Sequence, residues 1–267
     1  MVAAMRLGIV QSSPQFGKKP ENRRQIEELV GETQADLWIM SELALTGYEF
    51  KNHAEAHDMA EAIPHDDSTK WLANFCGERN CWAVLGLAER DGRHVYNTAI
   101  LCGPHRYVGR YRKIHLFDKE KERFDVGNLP FPVFNIGLAR VGLMICFDWR
   151  YPEAARALAL RGAQVIAHPS NLVMPFCQQA MITRALENRV FCATANRVGS
   201  ERHAGRTVHF TGESQIVSPD GAILLTAAKD KPQCLVTEME PQAADDKHAT
   251  PFNDLLKDRH PEFYARQ

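Results

Sequence analysis

LARVGLMICFDWRYPEAARALALRGAQVIAHPSN, residues 138–171, is the stretch whose reading decides the fold. It opens with an apolar run of strand length, Val141 to Ile145, and Cys146 follows at once. After a polar turn comes Pro152, which suits a first helical position because its missing N–H would be unpaired there anyway. A helical pattern runs from Glu153 to Arg161, acidic in its first turn and basic in its last, as the helix dipole favours. Gly162 stands just past the end, where a left-handed residue closes a helix. Gln164 to Ala167 then reads as a second strand. The unit is strand, helix, strand, with a cysteine at the carboxyl end of its first strand. Ligands bind at that end of open α/β sheets. A packed structural cysteine is the ordinary alternative, so a functional reading of Cys146 must come from its partners.

The rest of the chain extends the pattern. Leu7 to Val10 and Leu37 to Met40 read as strands, with an amphipathic helix from Pro20 to Gln34 between them. Residues 43–66 read as an irregular loop with a short helix, and Ser68 to Asn80 as a helix. Cys81 to Ala88 and Val95 to Cys102 form a hairpin around Asp91-Gly92, and a third antiparallel run spans Arg106 to about Ile114. Residues 118–128 read as a charged, solvated loop. A helix is expected over 177–189, a strand over Val190 to Ala195 and a long polar loop over 199–212. A hairpin turns at Ser218-Pro219-Asp220-Gly221, and a last strand covers Gln233 to Glu238. Strands alternate with helices in both halves, so one α/β domain over residues 1–240 is expected, with two sheets each covered outside by helices. Residues 241–267 read as an arm that packs on the body or on a neighbouring subunit.

Composition narrows the function. The 267 residues carry a net charge of −1, which gives no field to attract nucleic acid or an anionic membrane. No apolar run approaches membrane-spanning length, and the N-terminal segment lacks the shape of a secretory signal. The seven scattered cysteines include no C-x-x-C pair, which argues against a disulfide framework or a cysteine-rich zinc site. A reducing cytoplasm is the expected compartment.

Three reactive residues end strands: Glu42, Lys113 and Cys146. A cysteine nucleophile must lose its proton. A carboxylate can take it, and a lysine can hold the developing oxyanion. The three are a sufficient set for acyl transfer, although spacing alone does not bring them together.

Several blocks resemble the nitrilase, or carbon–nitrogen hydrolase, superfamily, in that family's order. They are S-E-L-A-L-T-G-Y (41–48), Y-R-K-I-H-L-F (111–117), E-R-F-D-V-G (122–127) and G-L-M-I-C-F-D-W-R-Y-P-E (142–153). H-P-S-N (168–171), R-A-L-E-N-R (184–189) and S-P-D-G (218–221) are similar to family segments too. The resemblance implies a single-domain, four-layer α-β-β-α sandwich. It makes Glu42 the general base, Lys113 the oxyanion stabiliser, Cys146 the nucleophile and Glu122 a second active-site glutamate. It implies no metal or organic cofactor, and a homodimer or larger homo-oligomer. The backbone N–H of Phe147 is a second oxyanion donor on this reading, and Tyr48 and Asn171 line the substrate pocket. His115 reads as structural, and Asp148 and Arg150 as braces of the turn. The continuation C-F-D points to a small carboxamide or N-carbamoyl substrate rather than a nitrile. The competing readings are nitrile hydrolysis by the same residues, a papain-like pair of Cys146 with His168, and a non-catalytic binding or scaffold protein on the same fold.

Overall fold

A computed structural model describes residues 4–264. The first half of the chain forms β1 (Met5–Gln11), α1 (Lys19–Val30), β2 (Leu37–Met40), α2 (His53–Met59), α3 (Asp67–Arg79), β3 (Trp82–Asp91), β4 (His94–Gly103) and β5 (Arg106–Arg112). The second half adds β6 (Val133–Asn135), β7 (Arg140–Leu143), α4 (Pro152–Leu160), β8 (Val165–Pro169), α5 (Cys177–Asn188) and β9 (Phe191–Ala195). It continues with β10 (Ser200–His203), β11 (Arg206–His209), β12 (Gln215–Val217), β13 (Ile223–Thr226) and β14 (Gln233–Met239). A short ribbon, β15 (His248–Thr250) and β16 (Asn253–Asp254), lies in the tail.

Two six-stranded sheets result, ordered β14-β1-β2-β3-β4-β5 and β13-β12-β9-β8-β7-β6. Strand parity explains their packing, because successive side chains leave a strand on opposite faces. Leu37 and Ile39 of β2 join Leu7 and Ile9 in a core shared with Val141, Leu143, Val165 and Ala193 of the other sheet. Their neighbours Trp38 and Met40 point the other way, onto Ile26 and Val30 of α1 and Leu72 and Phe75 of α3. On the second sheet, Leu158 of α4 and Met181 and Ala185 of α5 are buried in the same way. The layers are helix, sheet, sheet, helix, as the resemblance implied. β14 returns from the second half to pair antiparallel with β1, which ties the halves into one unit.

The quoted stretch folds as read: β7, then a 3-10 turn over Cys146–Arg150, then α4 with Pro152 in its first turn, then β8 parallel to β7. Residues 199–212 depart from the expected loop. They form the hairpin β10–β11, turning on Ala204 and Gly205, which both have positive φ. The charged segment 118–128 begins with a 3-10 turn over Asp118–Glu122. The tail lies against α5: Lys247 Nζ donates to the carbonyls of Asn188 and Arg189 at the helix end. All seven cysteines are free thiols. Among the described residues no helix is long and apolar enough to cross a membrane.

Candidate active site

Three strands deliver the reactive residues. Glu42 follows β2 by two residues, Lys113 directly follows β5, and Cys146 follows β7 by three. Two glycines let the backbone close around them. A Cβ on Gly86 would sit 2.5 Å from Glu42 Cα, and one on Gly127 would sit 2.1 Å from the Arg112 carbonyl oxygen. Gly127 also donates its N–H to the Lys113 carbonyl at 2.9 Å.

Glu42 and Lys113 are wholly buried and joined directly, with Lys113 Nζ 2.7 Å from Glu42 Oε1. Asn97 Nδ2 donates to the same oxygen at 2.7 Å. Glu42 Oε2 is buried with no hydrogen-bond partner among the described residues. On its other side Lys113 Nζ donates to Glu120 Oε1 at 2.9 Å and lies 2.7 Å from Glu120 Oε2. An ammonium has three donors. Two are spent on carboxylates, which leaves one for a reacting oxygen.

The glutamate that the structure places against Lys113 is Glu120, whereas Glu122, the one the family spacing suggested, does not reach it. Glu122 points outward, pairs with Lys119 at 2.7 Å and is 64% exposed. The reason is the 3-10 turn, in which positions three apart share a face. Phe117, Glu120 and Arg123 fall on the inner face. The Phe117 N–H donates to Glu120 Oε2, and Arg123 makes a two-pronged pair with buried Glu49. Both prongs set the turn that presents Glu120.

Cys146 sits at φ +43°, a left-handed conformation that costs a non-glycine residue about 1–3 kcal/mol. Strain of this kind persists where surrounding structure imposes it. Its thiol is 3.8 Å from the Asn171 carbonyl oxygen. Burial pushes the thiol well above its ordinary range, the Glu42 charge adds to this, and Lys113 only partly opposes it. Cys146 thus rests as a thiol and needs a base. Burial works against the Lys113 charge, but the carboxylates of Glu120 and Glu42 outweigh it and hold the ammonium protonated. Burial raises Glu120, with Lys113 opposing and Glu42 reinforcing.

The remaining expected residues divide. Asn171 is buried, its Nδ2 donates to the Glu42 carbonyl at 2.9 Å and its own carbonyl lies 3.8 Å from the Cys146 thiol, so it links the two segments. Tyr48 is buried, and its phenol is raised by burial and by the charges of Glu120, Glu42 and Cys146 around it. Phe147 lies in the first turn of the 3-10 helix, where N–H groups lack partners within the helix. Its ring packs on Phe117 at 4.9 Å. His168 does not reach the thiol. Its Nε2–H donates to the Cys146 carbonyl at 2.8 Å, and its Nδ1 accepts from Thr194 Oγ1 at 3.0 Å. Burial lowers it to about 4, so it is neutral near pH 7 and is not a papain-like base. Beside Cys146 a small pocket has apolar walls, formed by Phe117, Phe147, Trp149, Leu172 and Val173. Phe117 and Phe147 also line a wider neighbouring cleft with His115, Lys121 and Tyr151.

Residues 6–247 match the model of the carbon-nitrogen hydrolase family. A protein from Pyrococcus abyssi named as a nitrilase is 42% identical over 265 residues, covering 98% of this chain and 100% of that one. A Pseudomonas protein named as an (R)-stereoselective amidase is 32% identical, covering 96% of this chain and 91% of that one. Among solved structures, a glutamate-to-glutamine mutant of an amidase from Nesterenkonia sp. AN1 superposes with a TM-score of 0.82 at 27% identity. The match covers 97% of this chain and 94% of that one, and that structure carries the acetamide moiety of fluoroacetamide on its active-site cysteine.

Proposed function

The chain belongs to the carbon–nitrogen hydrolase family, and from that premise we propose that it hydrolyses a small, uncharged carboxamide or N-carbamoyl compound through a thioester on Cys146. The observation that carries this reading is Glu42 Oε2, a buried carboxylate oxygen with no partner among the described residues, in a centre whose thiol is held protonated. A resting thiol attacks only if its proton leaves as the sulfur approaches carbon. Glu42 accepts that proton at Oε2 while Lys113 holds Oε1 in place.

Attack places negative charge on the substrate oxygen. The third Lys113 donor and the Phe147 N–H meet it there. Collapse of the tetrahedral adduct breaks the C–N bond, and the nitrogen leaves as ammonia or an amine with the proton that Glu42 took from the thiol. A water then enters, Glu42 removes its proton, hydroxide adds to the thioester, and the acid leaves as the proton returns to sulfur. Glu120 keeps Lys113 charged and aimed throughout. The apolar walls of the inner pocket favour a short, neutral acyl group over one carrying a charge.

A second reading, nitrile hydrolysis, is favoured by one observation: the 42% identical archaeal relative carries the name nitrilase. An ammonia-release screen over small aliphatic amides, carbamoyl amines and nitriles separates the two, with Cys146→Ala as the blank. The amide reading expects release from amides or carbamoyl amines exceeding that from matched nitriles, and the reverse order would overturn it. Assembly as a homo-oligomer belongs to the same proposal. It is supported by the exposed side chains of Phe252, Phe263, Leu160 and Leu186, and a monomer at micromolar concentration in light scattering would end it.

A further inference from the structure

We propose that Asp148 is a positioning residue that clamps the segment bearing Lys113 to the turn bearing Cys146, with Tyr111 and His115 as its two grips. This rests on the Glu42–Lys113–Cys146 reading above. Lys113 follows the edge strand of one sheet and Cys146 follows a strand of the other. No backbone hydrogen-bond ladder joins those two strands, so their separation depends on side chains that bridge the sheets.

Asp148 is wholly buried and makes that bridge. One end serves its own turn: Oδ2 accepts the Ile145 N–H at 2.8 Å, and the Asp148 N–H donates to the Ile145 carbonyl at 3.0 Å. The same carboxylate also reaches across. Tyr111 Oη donates to Oδ2 at 2.9 Å, and His115 Nδ1 donates to Oδ1 at 2.7 Å. Tyr111 and His115 stand two residues to either side of Lys113, so the lysine is held between two bonds to one carboxylate. The Tyr111 oxygen also accepts the Ile114 N–H at 3.1 Å, which fixes the peptide just beyond the lysine. The His115 ring stacks on Tyr151, at the far end of the nucleophile turn, with centroids 3.7 Å apart. A carboxylate needed only to cap a 3-10 turn has no use for two donors from the opposite sheet. Both oxygens are consumed by these bonds, and the strained residue they secure is Cys146 at φ +43°.

The test uses iodoacetamide, a small amide that alkylates a thiolate. Sulfur displaces iodide, a C–S bond forms, and the thiol proton goes to Glu42. Saturation kinetics followed by intact mass give a maximal alkylation rate and a half-saturating concentration. In Asp148→Asn the maximal rate is expected to fall about 100-fold, as for a reacting group displaced by an ångström or so. His115→Asn and Tyr111→Phe are each expected to lose about tenfold, the scale of one hydrogen bond to a charged group. The half-saturating concentration stays within about threefold in all of them, because alkylation geometry rather than amide binding is lost. Adding both outer substitutions to Asp148→Asn costs no more than about twofold further, since all three act through one carboxylate. Maximal rates within about twofold of wild type in Asp148→Asn would overturn the clamp, as would losses that multiply in the triple variant. If Asp148→Asn does not fold, the pair His115→Asn and Tyr111→Phe decides by the same split. Failure of the underlying catalytic reading looks different: wild-type Cys146 would then react no faster than a free thiol and would be indifferent to Lys113→Met.

Discussion

Arg112 and Lys113 are consecutive residues at the end of one strand, both cationic, both buried, both held by carboxylates, and they do opposite things. Arg112 is satisfied on every side. Its Nε donates to Glu89 Oε2 at 3.0 Å, and Nη2 meets both Glu89 Oε1 and Asp91. Its Nη1 donates to Asn128, and the guanidinium lies 4.0 Å from the centre of the Tyr96 ring. Glu89 is completed by Thr98 Oγ1 at 2.8 Å. Around Lys113, by contrast, Glu42 Oε2, Asn97 Oδ1 and Asn171 Oδ1 are buried without partners among the described residues. A closed polar network holds a fold together, whereas an open one holds unmet hydrogen-bonding capacity where a substrate or water can use it.

The largest effect tests this contrast head-on. Lys113→Met is expected to lower turnover about 10³-fold, the scale of losing an oxyanion donor, with a modest loss of stability because Glu120, already raised, takes up a proton. Arg112→Met is expected to cost about 1–3 kcal/mol of stability, since buried Glu89 loses its two-pronged partner and keeps only Arg110, 3.3 Å away, and Thr98, yet to keep turnover per folded molecule. Urea unfolding beside steady-state assays reads both, and equal turnover losses in the two variants would break the distinction.

His168 belongs with the satisfied groups and makes a pH test. It titrates near 6.5 when unfolded and about 4 when folded, because burial disfavours its charged form. Between those values the unfolded chain holds the extra proton, so stability is full above pH 6.5 and falls as pH drops toward 4. The span is about 3 kcal/mol. His168→Gln should be less stable at pH 7 and should flatten that slope in urea titrations; an unchanged slope would remove His168 from the account of acid sensitivity.

Glu120→Gln and Glu122→Gln sharpen the comparison within one turn. The first is expected to lower turnover about 10²-fold by releasing Lys113. The second should leave turnover unchanged and move stability by no more than about 0.5 kcal/mol, since an exposed pair contributes little. Comparable losses in both would put the turn's assignment in doubt.

Much of this was legible in the sequence, for physical reasons. The strand at Leu37–Met40, the proline and glycine bracketing α4, and a cysteine closing an apolar run all follow from local chemistry. So did Glu42, Lys113 and Cys146 as candidates, since each ends a strand. Glu122 lies away from Lys113 because the local period of the turn differs from the family spacing. Phe117 and Phe124 mark an inner face, and Glu120, three residues after one and four before the other, lies on it, while Glu122 does not. The hairpin at 199–212 was hidden because its strands are polar and its turn uses Ala204, an unusual residue at positive φ. The Asp148 bridge joins residues 33 and 37 positions apart on different sheets, which no periodicity reports.

The most direct measurement is a rapid acid quench of the wild-type protein mixed with small amides, carbamoyl amines and nitriles, followed by intact mass and peptide mapping. A Cys146 thioester requires a transient adduct equal to the acyl group, mapped to Cys146, formed with one equivalent of ammonia or amine and absent from Cys146→Ala and Lys113→Met. Ammonia released without any adduct, or turnover that survives in Cys146→Ala, would contradict it.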